Sequence, residues 1–274
     1  MPNIDKKVVE DFGKEWNEYQ QELLSSGELS NIFNAYFSIL PKNFLNSKLN
    51  VADFGCGTGR WAQFIAPLVG EVHCIDPSNA IEVCKTKLLD HNNCIFHQSS
   101  IDELAIDKNT LDFGYSLGVL HHIPDTYQAM KDCVSYLKPG APFLVYLYYK
   151  FDNKPKWYLV VWKISDYLRR FISRSPFPIK LFISKIIAAC VYFPFAKSAL
   201  LFDKLGLDTS NYILSNYKDK SFYTMSTDSL DRFGTRLEQR FTKLEIKEMM
   251  IQSGLDDISF SPNAPFHCAI GYKK

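Results

Sequence analysis

The sequence predicts an α/β protein with a doubly wound, mostly parallel seven-stranded sheet and a helical insertion after the fifth strand. Across residues 49–149, short apolar strands alternate with helical patterns, which is typical of βαβ units. A glycine-rich turn follows the first strand, at the point where an open α/β sheet binds a nucleotide-like molecule. The alternation stops for residues 150–240 and returns in a final helix and two strands.

The composition is that of a globular protein with a large core, since 46% of the 274 residues are hydrophobic and 22% are charged. The net charge of +1 gives no overall indication of a nucleic-acid partner. Seven cysteines include no C-x-x-C pair, so we expect reduced, mostly buried thiols in a cytoplasmic protein. The first residues lack the apolar core of a signal peptide, and no uncharged apolar run reaches the ~18 residues that span a bilayer.

The predicted elements follow the apolar periodicity and the Pro and Gly stops. Two helices, at about 6–24 and 29–40, precede the sheet, and the first carries its large side chains on one face: Val9, Phe12, Trp16, Tyr19 and Leu23. The core strands lie at about 50–54, 71–75, 94–97, 111–116 and 142–149, with helices near 59–69, 78–90 and 125–137.

The turn after the first strand carries Gly55, Gly57 and Gly59. It is not the dinucleotide fingerprint, because its third glycine comes one residue early, and no Gly-Lys-Ser/Thr follows it as in a P-loop. Asp53 stands two positions before the first glycine, where a carboxylate suits a cationic or hydroxyl-bearing ligand. Asp76 ends the second strand, where a carboxylate can accept hydrogen bonds from both ribose hydroxyls; its alternative role is to cap the next helix.

Two motifs resemble those of the class I S-adenosylmethionine-dependent methyltransferases of the small-molecule type, similar to methyltransferase types 11 and 12. Residues 51–59 resemble motif I, and residues 111–125, which include Leu120-His121-His122, resemble the motif after the fourth strand. The resemblance implies a Rossmann-like sheet, S-adenosyl-L-methionine as cofactor and S-adenosyl-L-homocysteine as product. It also implies cofactor contacts from these residues: Asp53, Gly55, Cys56, Gly57, Gly59, Asp76, Pro77, Ser100, Ile101, Leu117 and Trp16.

For two of these assignments, the adenine loop and the Trp16 helix, the sequence departs from the family pattern or allows a second role. At the adenine loop, Ser100 and Ile101 replace the Asp and small residue usual in the family, although a serine hydroxyl can still bind the adenine amino group. The helix that carries Trp16 looks like the lid of related enzymes, and it could instead only support the sheet.

His121 is the candidate general base, because imidazole titrates near neutral pH, and its alternative role is packing. Tyr148 and Tyr149 end the fifth strand at the ligand crevice, so we expect Tyr148 to contact substrate and Tyr149 to take part in catalysis. Asp125 fits a helix N-cap better than a catalytic group. No Asp, Glu and His cluster accompanies the paired histidines, so we expect no metal ion.

Residues 150–204 are rich in aromatic residues and carry eleven lysines or arginines against three acids. Their net charge of +8 leaves the rest of the chain at −7. Basic helices with a large apolar side suit a membrane surface or an anionic substrate with an apolar portion, and a helical cap with solvated bases is the alternative. Residues 183–196 are interrupted by Lys185 and Pro194 and are too short to span a bilayer.

The last part of the chain returns to the sheet. Arg232, Arg236 and Arg240 recur every four positions and would form a cationic stripe on a helix, which Gly234 disfavours. Arg236 and Arg240 are candidates for binding a substrate anion, or for pairing with nearby acids. Thr242 and Glu245 predict a capping box, and strands at about 257–261 and 266–272 resemble the antiparallel end of the methyltransferase sheet.

The predicted organisation is an N-terminal helical lid (1–48), a cofactor-binding core (49–149), a helical insertion or substrate cap (150–240) and a completing helix and hairpin (241–274). We expect methyl transfer to an O, N or C atom of a small, anionic, partly apolar acceptor, such as a glycan precursor, a lipid-linked intermediate or a secondary metabolite. A nucleotide-dependent oxidoreductase and a non-catalytic membrane-surface adaptor are the alternatives.

We expect a cytoplasmic protein, with peripheral membrane contact through 150–204 left open, and no nucleic-acid partner, since no N/D-P-P-Y/F motif is present. The sequence does not indicate the oligomeric state.

Overall fold

The computed structural model describes residues 2–20 and 24–274, which fall into two compact units. The core unit consists of residues up to 20, residues 30–150 and residues 237–274. The insertion unit consists of the described residues of 24–29 and residues 151–236. Leu23, one of the five large side chains predicted on the first helix, lies outside the described residues.

The core unit is built on a seven-stranded sheet: β1 (Asn50–Phe54), β2 (Glu71–Ile75), β3 (Cys94–His97), β4 (Phe113–Leu117), β5 (Pro142–Tyr146), β6 (Leu255–Phe260) and β7 (Ala269–Lys273). Their order across the sheet is β3-β2-β1-β4-β5-β7-β6. The pairs among β1 to β5 are parallel, and β7 is antiparallel to both β5 and β6. The predicted fold class is therefore confirmed, with β7 alone reversed against the other strands.

The α-helices occur in this order: α1 (Lys6–Glu18), α2 (Ser26–Phe37), α3 (Ala62–Ile65), α4 (Ala80–Lys87), α5 (Thr126–Tyr136), α6 (Lys156–Ile172), α7 (Phe177–Ile187), α8 (Phe193–Lys204), α9 (Phe222–Gly234) and α10 (Lys243–Gln252). The helix predicted after the glycine turn is shorter than expected. It gives way to a 3₁₀ turn, Ala66–Leu68, because Pro67 has no N–H to continue the α-helical ladder. The fifth strand also ends at Tyr146 rather than at 149.

Two predicted helix caps are present. The Asp125 carboxylate accepts a hydrogen bond from the Gln128 N–H at 2.9 Å and caps α5. At α10, the Thr242 hydroxyl accepts from the Glu245 N–H, and the Glu245 carboxylate accepts from the Thr242 N–H at 2.6 Å. Asp125 is thus an N-cap, as predicted, and the capping box is confirmed.

The insertion unit contains one helix that is longer than the sequence indicates. A π-helical segment, Ala188–Tyr192, joins α7 to α8, so residues Phe177–Lys204 form 28 continuous helical residues. The wider turn of the π segment accommodates Pro194, whose ring would clash with a regular helix. The prediction that this stretch is too short to span a bilayer is wrong, because by length and composition alone the helix suffices.

The predicted cationic stripe does not form, because α9 ends at Gly234 and Thr235 is extended. Arg236 and Arg240 therefore lie outside the helix that carries Arg232. Inside the insertion unit, a small apolar core joins α8, α9 and the π segment through Tyr192, Ala196, Met225 and Phe233.

We expect Thr242→Ala to lower the free energy of unfolding by about 1 kcal/mol, because it removes the hydroxyl that caps α10. Thr242→Ser keeps the hydroxyl and is the matched control. Urea unfolding of the two variants and the wild type measures the difference. Equal midpoints for all three proteins would mean that the capping box does not stabilise the fold.

Candidate functional site

The glycine turn is fixed to the tip of the neighbouring strand. Gly55, Gly57 and Gly59 have φ angles of +85°, +52° and +75°, a region that strongly favours glycine. The N–H groups of Gly55 and Cys56 donate to the Ile75 carbonyl at 2.8 and 3.0 Å. A Cβ at position 55 would lie 2.4 Å from Cγ1 of Val119, so this glycine is required by space as well as by conformation.

Asp76 holds the turn from the end of β2. One carboxylate oxygen accepts from the Gly57 N–H at 2.9 Å, and the other accepts from the N–H and hydroxyl of Ser78 at 2.8 and 2.6 Å. Ser78, rather than Asp76, accepts from the Ala80 N–H at the start of α4. Burial raises the pKa of Asp76, while the bonds from Ser78 and Gly57 oppose that rise. A carboxylate has about four acceptor positions, so Asp76 can still accept from a ligand hydroxyl.

Several buried polar atoms near the carboxyl ends of β1, β3 and β4 have no hydrogen-bond partner among the described residues. They are Oδ2 of Asp53, Oγ1 of Thr58, Oγ of Ser99 and both ring nitrogens of His121. Burial raises the pKa of Asp53 well above its usual range. A buried polar group without a partner costs roughly 1–3 kcal/mol, so donors supplied by a ligand would stabilise this region. An amino acid, a ribose and an adenine, the parts of S-adenosylmethionine, carry such donors.

The predicted adenine and methionine positions lie along the same edge. Ser100 donates its hydroxyl hydrogen to the Glu103 carboxylate at 3.2 Å, which leaves its lone pairs for an adenine amino group. Ile101 is buried, whereas Pro77 and Leu117, the last residue of β4, are half-buried. The structure thus places these residues near the ends of successive strands, and their contacts with a cofactor stay predictions.

Helix α1 lies against the glycine turn. A Cβ at position 57 would stand 3.5 Å from Nε1 of Trp16, and one at Gly13 would stand 3.6 Å from Cβ of Ser78. The Trp16 ring therefore covers the turn, which is the position that a lid requires, while Tyr19, the residue just after the helix, is buried.

His121 forms the buried end of an aromatic and cationic stack. Its ring lies 3.9 Å from that of Tyr148 at an angle of 29°, and the guanidinium of Arg240 lies 5.0 Å from the Tyr148 ring. Arg240 Nε donates to Glu238 at 2.7 Å, and its Nη1 donates to the Tyr149 carbonyl at 3.2 Å. The alternative predicted for Arg240, pairing with a neighbouring acid, is confirmed.

The two histidines differ in their surroundings. His121 is fully buried, and this burial, helped by the nearby His122 and Arg240, holds its pKa well below the usual range. It is therefore neutral at physiological pH. His122 places Nδ1 2.7 Å from the Leu237 carbonyl and packs its ring edge against Phe12, which fixes it in a packing role.

Aromatic side chains continue from this stack along the edge of the sheet. Tyr148 is followed by Tyr146 at 6.0 Å, Tyr36 at 5.2 Å and Trp61 at 5.3 Å, measured between successive ring centroids. Nothing in the sequence singled out Tyr36 or Tyr146 as site residues. Tyr146 could have been found from its alternation with Tyr148 on one strand, whereas no local signal marks Tyr36 on α2.

Two predicted residues make other contacts. The ring of Tyr149 contacts His267 and Phe266, at centroid distances of 5.5 and 6.0 Å, while its carbonyl accepts from Arg240. Arg236 belongs to the insertion unit, where its side chain is exposed and its carbonyl accepts from Arg169. Their predicted roles in catalysis and anion binding stay predictions.

Three buried cysteines meet beneath the turn, which the sequence did not indicate. The sulfur atoms of Cys56, Cys74 and Cys84 all lie within 4.8 Å of one another. All seven cysteines are free thiols, of which Cys190 is exposed. We expected no metal site, and three thiols at this spacing are a possible ligand set for a soft metal ion.

We expect His121 to make the protein less stable in mild acid. Its pKa is lowered in the folded state, so the unfolded chain takes up this proton first as the pH falls below about 6.5. Stability is lost below that pH, by roughly 1 kcal/mol at pH 5.5 for this group. Urea unfolding at pH 7 and 5.5 should therefore show a smaller loss for His121→Phe than for the wild type. His91→Gln, at a half-buried histidine away from the stack, is the control, and an unchanged loss in His121→Phe would contradict the assignment.

Comparison with known proteins identifies a methyltransferase domain within the chain. Residues 51–140 match the model of a family described as a methyltransferase domain. A ubiquinone biosynthesis O-methyltransferase of Nitrosospira multiformis is 28% identical over 130 residues, which are 46% of this chain and 53% of that protein. Phosphoethanolamine N-methyltransferase 2 of Caenorhabditis elegans is 31% identical over 102 residues, which are 36% and 23% of the two chains. The chain thus matches about half or less of the length of these relatives.

The fold also resembles solved structures along nearly the whole chain. A methyltransferase of Thermotoga maritima, described as a possible histamine N-methyltransferase, has a TM-score of 0.53, with 13% identity and coverage of 97% and 100% of the two chains. The reversed β7 between β5 and β6 distinguishes this sheet from the dinucleotide-binding order 3-2-1-4-5-6. The family match shows that residues 51–140 form a methyltransferase domain, and the topology of the core unit is the seven-stranded one expected for the class I S-adenosylmethionine-dependent methyltransferases.

Proposed function

We propose that the protein transfers the methyl group of S-adenosylmethionine to an oxygen atom of a small acceptor with an aromatic or apolar portion. The observation that carries this proposal is the row of aromatic rings that ends in the neutral, buried His121. Tyr146 pairs with Leu117 across β4 and β5, so the aromatic row borders the residue predicted at the methionine end of the cofactor. An acceptor bound along this row would lie next to the transferable methyl group.

The cofactor, when bound, supplies a sulfonium that is already a good electrophile, so the chain's residues mainly orient the two reactants and exclude water. Asp76 and the glycine turn would hold the cofactor, and Trp16 would cover it. The neutral imidazole of His121 is in the form that accepts a proton from an acceptor hydroxyl. Neither ring nitrogen of His121 has a hydrogen-bond partner among the described residues, so the unprotonated one is available to an acceptor hydroxyl that reaches it in the plane of the ring.

The contacts support the apolar part of the acceptor more strongly than an anionic part. Arg240, a predicted anion ligand, already pairs with Glu238, whose side chain is 1% exposed. Its charge therefore orients Tyr148 and is largely balanced before substrate binds. The relatives are named for O-methylation in ubiquinone biosynthesis and for N-methylation of phosphoethanolamine, and the aromatic row favours the first kind of acceptor.

A direct test is to incubate the protein with methyl-labelled S-adenosylmethionine and three acceptors: a catechol with a long alkyl chain, catechol itself and phosphoethanolamine. We expect labelling of the alkylated catechol to be fastest, at its oxygen, as read by mass spectrometry. Preferred labelling of phosphoethanolamine would overturn the acceptor class. Cofactor binding without labelling of any compound, or of a cell extract, would favour the non-catalytic adaptor.

We expect Gly55→Ala to abolish cofactor binding, because its Cβ would overlap Val119 and displace the turn. Gly140→Ala is the matched control, since Gly140 has a similar φ of +80° but no heavy atom within 4 Å of its Cβ position. Both variants carry the same backbone strain, so only steric displacement of the turn separates them. Calorimetric titration with S-adenosylhomocysteine measures the affinity, and equal affinities in the two variants would show that the turn does not bind the cofactor.

We expect His121→Phe to reduce kcat at least about a hundredfold while leaving cofactor affinity unchanged, if a proton acceptor is needed for a hydroxyl substrate. Phenylalanine preserves the stack on Tyr148, and His122→Phe provides a comparison at the neighbouring ring. Raising the pH should partly restore the rate of His121→Phe, because the acceptor then ionises without help. A pH-independent loss would assign His121 a packing role.

A further inference from the structure

The insertion unit has the reverse of the usual distribution of polar and apolar side chains. On α6 the buried residues are Asp166 and Arg169, whereas the exposed ones include Trp157, Val160, Ile164, Tyr167, Leu168 and Phe171. On α7, Lys180 is 1% exposed and Ser184 is fully buried, while Phe182 is 66% exposed. Soluble proteins rarely bury charged groups while exposing a continuous row of large apolar ones.

The buried polar groups are engaged with α9. Asp166 accepts from Arg169 Nε at 2.8 Å and lies 3.7 Å from Nη1 of Arg232 on α9, and Ser229 of α9 donates to the Ser184 carbonyl at 3.0 Å. Burial would raise the pKa of Asp166, and the hydrogen bond and charge of Arg169 lower it below its usual value. Both α6 and α7 therefore turn their polar sides to α9, and their apolar sides face away from it.

The exposed apolar residues of α6 form one stripe, because positions 157, 160, 164, 167, 168 and 171 recur every three or four residues. We call these six residues the apolar stripe. A second row follows it along one edge, where Lys156, Lys163, Arg170 and Arg174 are all exposed. Lys156 and Lys163 precede Val160 and Tyr167 by four residues, and Arg170 follows Tyr167 by three, so each base lies beside an apolar residue of the stripe. The stripe runs from position 157 to position 171 of α6 and extends about 21 Å.

We propose that α6 and α7 bind in the plane of an anionic lipid bilayer, with the apolar stripe in the boundary between headgroups and acyl chains. The charge pattern selects this partner, because the row of bases would lie at the level of the lipid phosphates. Trp157 and Tyr167 are side chains that favour this depth. The proposal is independent of the methyl transfer proposed above and can be tested without cofactor or acceptor.

The same contacts place the continuous helix Phe177–Lys204 along the surface rather than across the bilayer. Its buried residues recur every three or four positions and face the interior of the insertion unit: Lys180, Ser184, Ala188, Tyr192, Ala196 and Ala199. Spanning the bilayer would remove Lys180 and the Ser184 contact from that interior and expose them to hydrocarbon. Only the opposite side, which carries Ile179, Phe182 and Ile186, is available to lipid.

Co-sedimentation of the full-length protein with vesicles tests the proposal. We expect binding to phosphatidylcholine vesicles that contain phosphatidylglycerol, weaker binding to phosphatidylcholine alone, and a decline with added salt. The triple variant Ile164→Asn/Leu168→Asn/Phe171→Asn should bind at least about tenfold more weakly. The control Leu68→Asn/Leu89→Asn/Leu244→Asn changes three exposed leucines of the core unit and should bind like the wild type.

A charge variant tests the basic row separately. Lys156→Gln/Lys163→Gln/Arg174→Gln should lose affinity for the anionic vesicles by roughly fivefold for each base removed. Lys42→Gln/Lys48→Gln/Lys247→Gln is the control, because these lysines are exposed on the core unit. In the otherwise unchanged protein, bromine-labelled lipid should quench part of the tryptophan fluorescence, and Trp157→Phe should remove that part. The quenching itself is read on the wild-type protein, and Trp157→Phe exchanges one exposed aromatic side chain for another.

Three results would overturn the proposal. The first is equal vesicle binding by the stripe variant, its control and the wild type. The second is a stable dimer in lipid-free solution that the stripe variant converts to a monomer, which would mean that a second copy covers the stripe. The third is resistance to alkaline carbonate extraction, which would identify a membrane-spanning helix instead of one in the plane.

Discussion

The hydrogen bond from the Gly57 N–H to the Asp76 carboxylate is the constraint on which the cofactor side of the protein depends. It fixes a loop after β1 to the tip of β2, and the Gly55 and Cys56 N–H groups reinforce it by binding the Ile75 carbonyl. Each partner is a backbone group or a buried side chain, so water competes little for these hydrogen bonds. Because the loop is fixed, Trp16 can pack over it. The side chains of Asp53 and Thr58, which have atoms without hydrogen-bond partners, are held next to the same loop.

The strands, the glycine turn and the helix caps of the core unit could be predicted from the sequence, because each depends on residues close together in the chain. The bounds of β1, β2 and β3 match the apolar runs, since each run is ended by a Gly, Pro or polar turn. The glycines and Asp76 occur at fixed positions relative to those strands. Asp125 and Thr242 were recognised as caps because a cap is defined by residues within one helical turn.

The remainder depends on tertiary contacts that no short pattern encodes. The stack of His121, Tyr148 and Arg240 brings together residues from three separate segments, and Tyr36 joins the row from a fourth. The rule that proline ends a helix failed at Pro194, because a π segment upstream absorbed the clash. In the insertion, the sequence showed that basic and aromatic residues are frequent. It did not show which of them face the interior. Only the contacts of α9 reveal that Asp166, Arg169 and Lys180 are interior.

The position of α1 has a consequence for the timing of turnover. Because Trp16 lies over Gly57, we expect the N-terminal helix to move when a ligand enters or leaves the turn. The residence time of the spent cofactor would then depend on the contacts of α1 with the Ser78 loop. Exchange of cofactor, rather than methyl transfer, would in that case limit the rate, and substitutions at Gly13 would change turnover without touching either reactant.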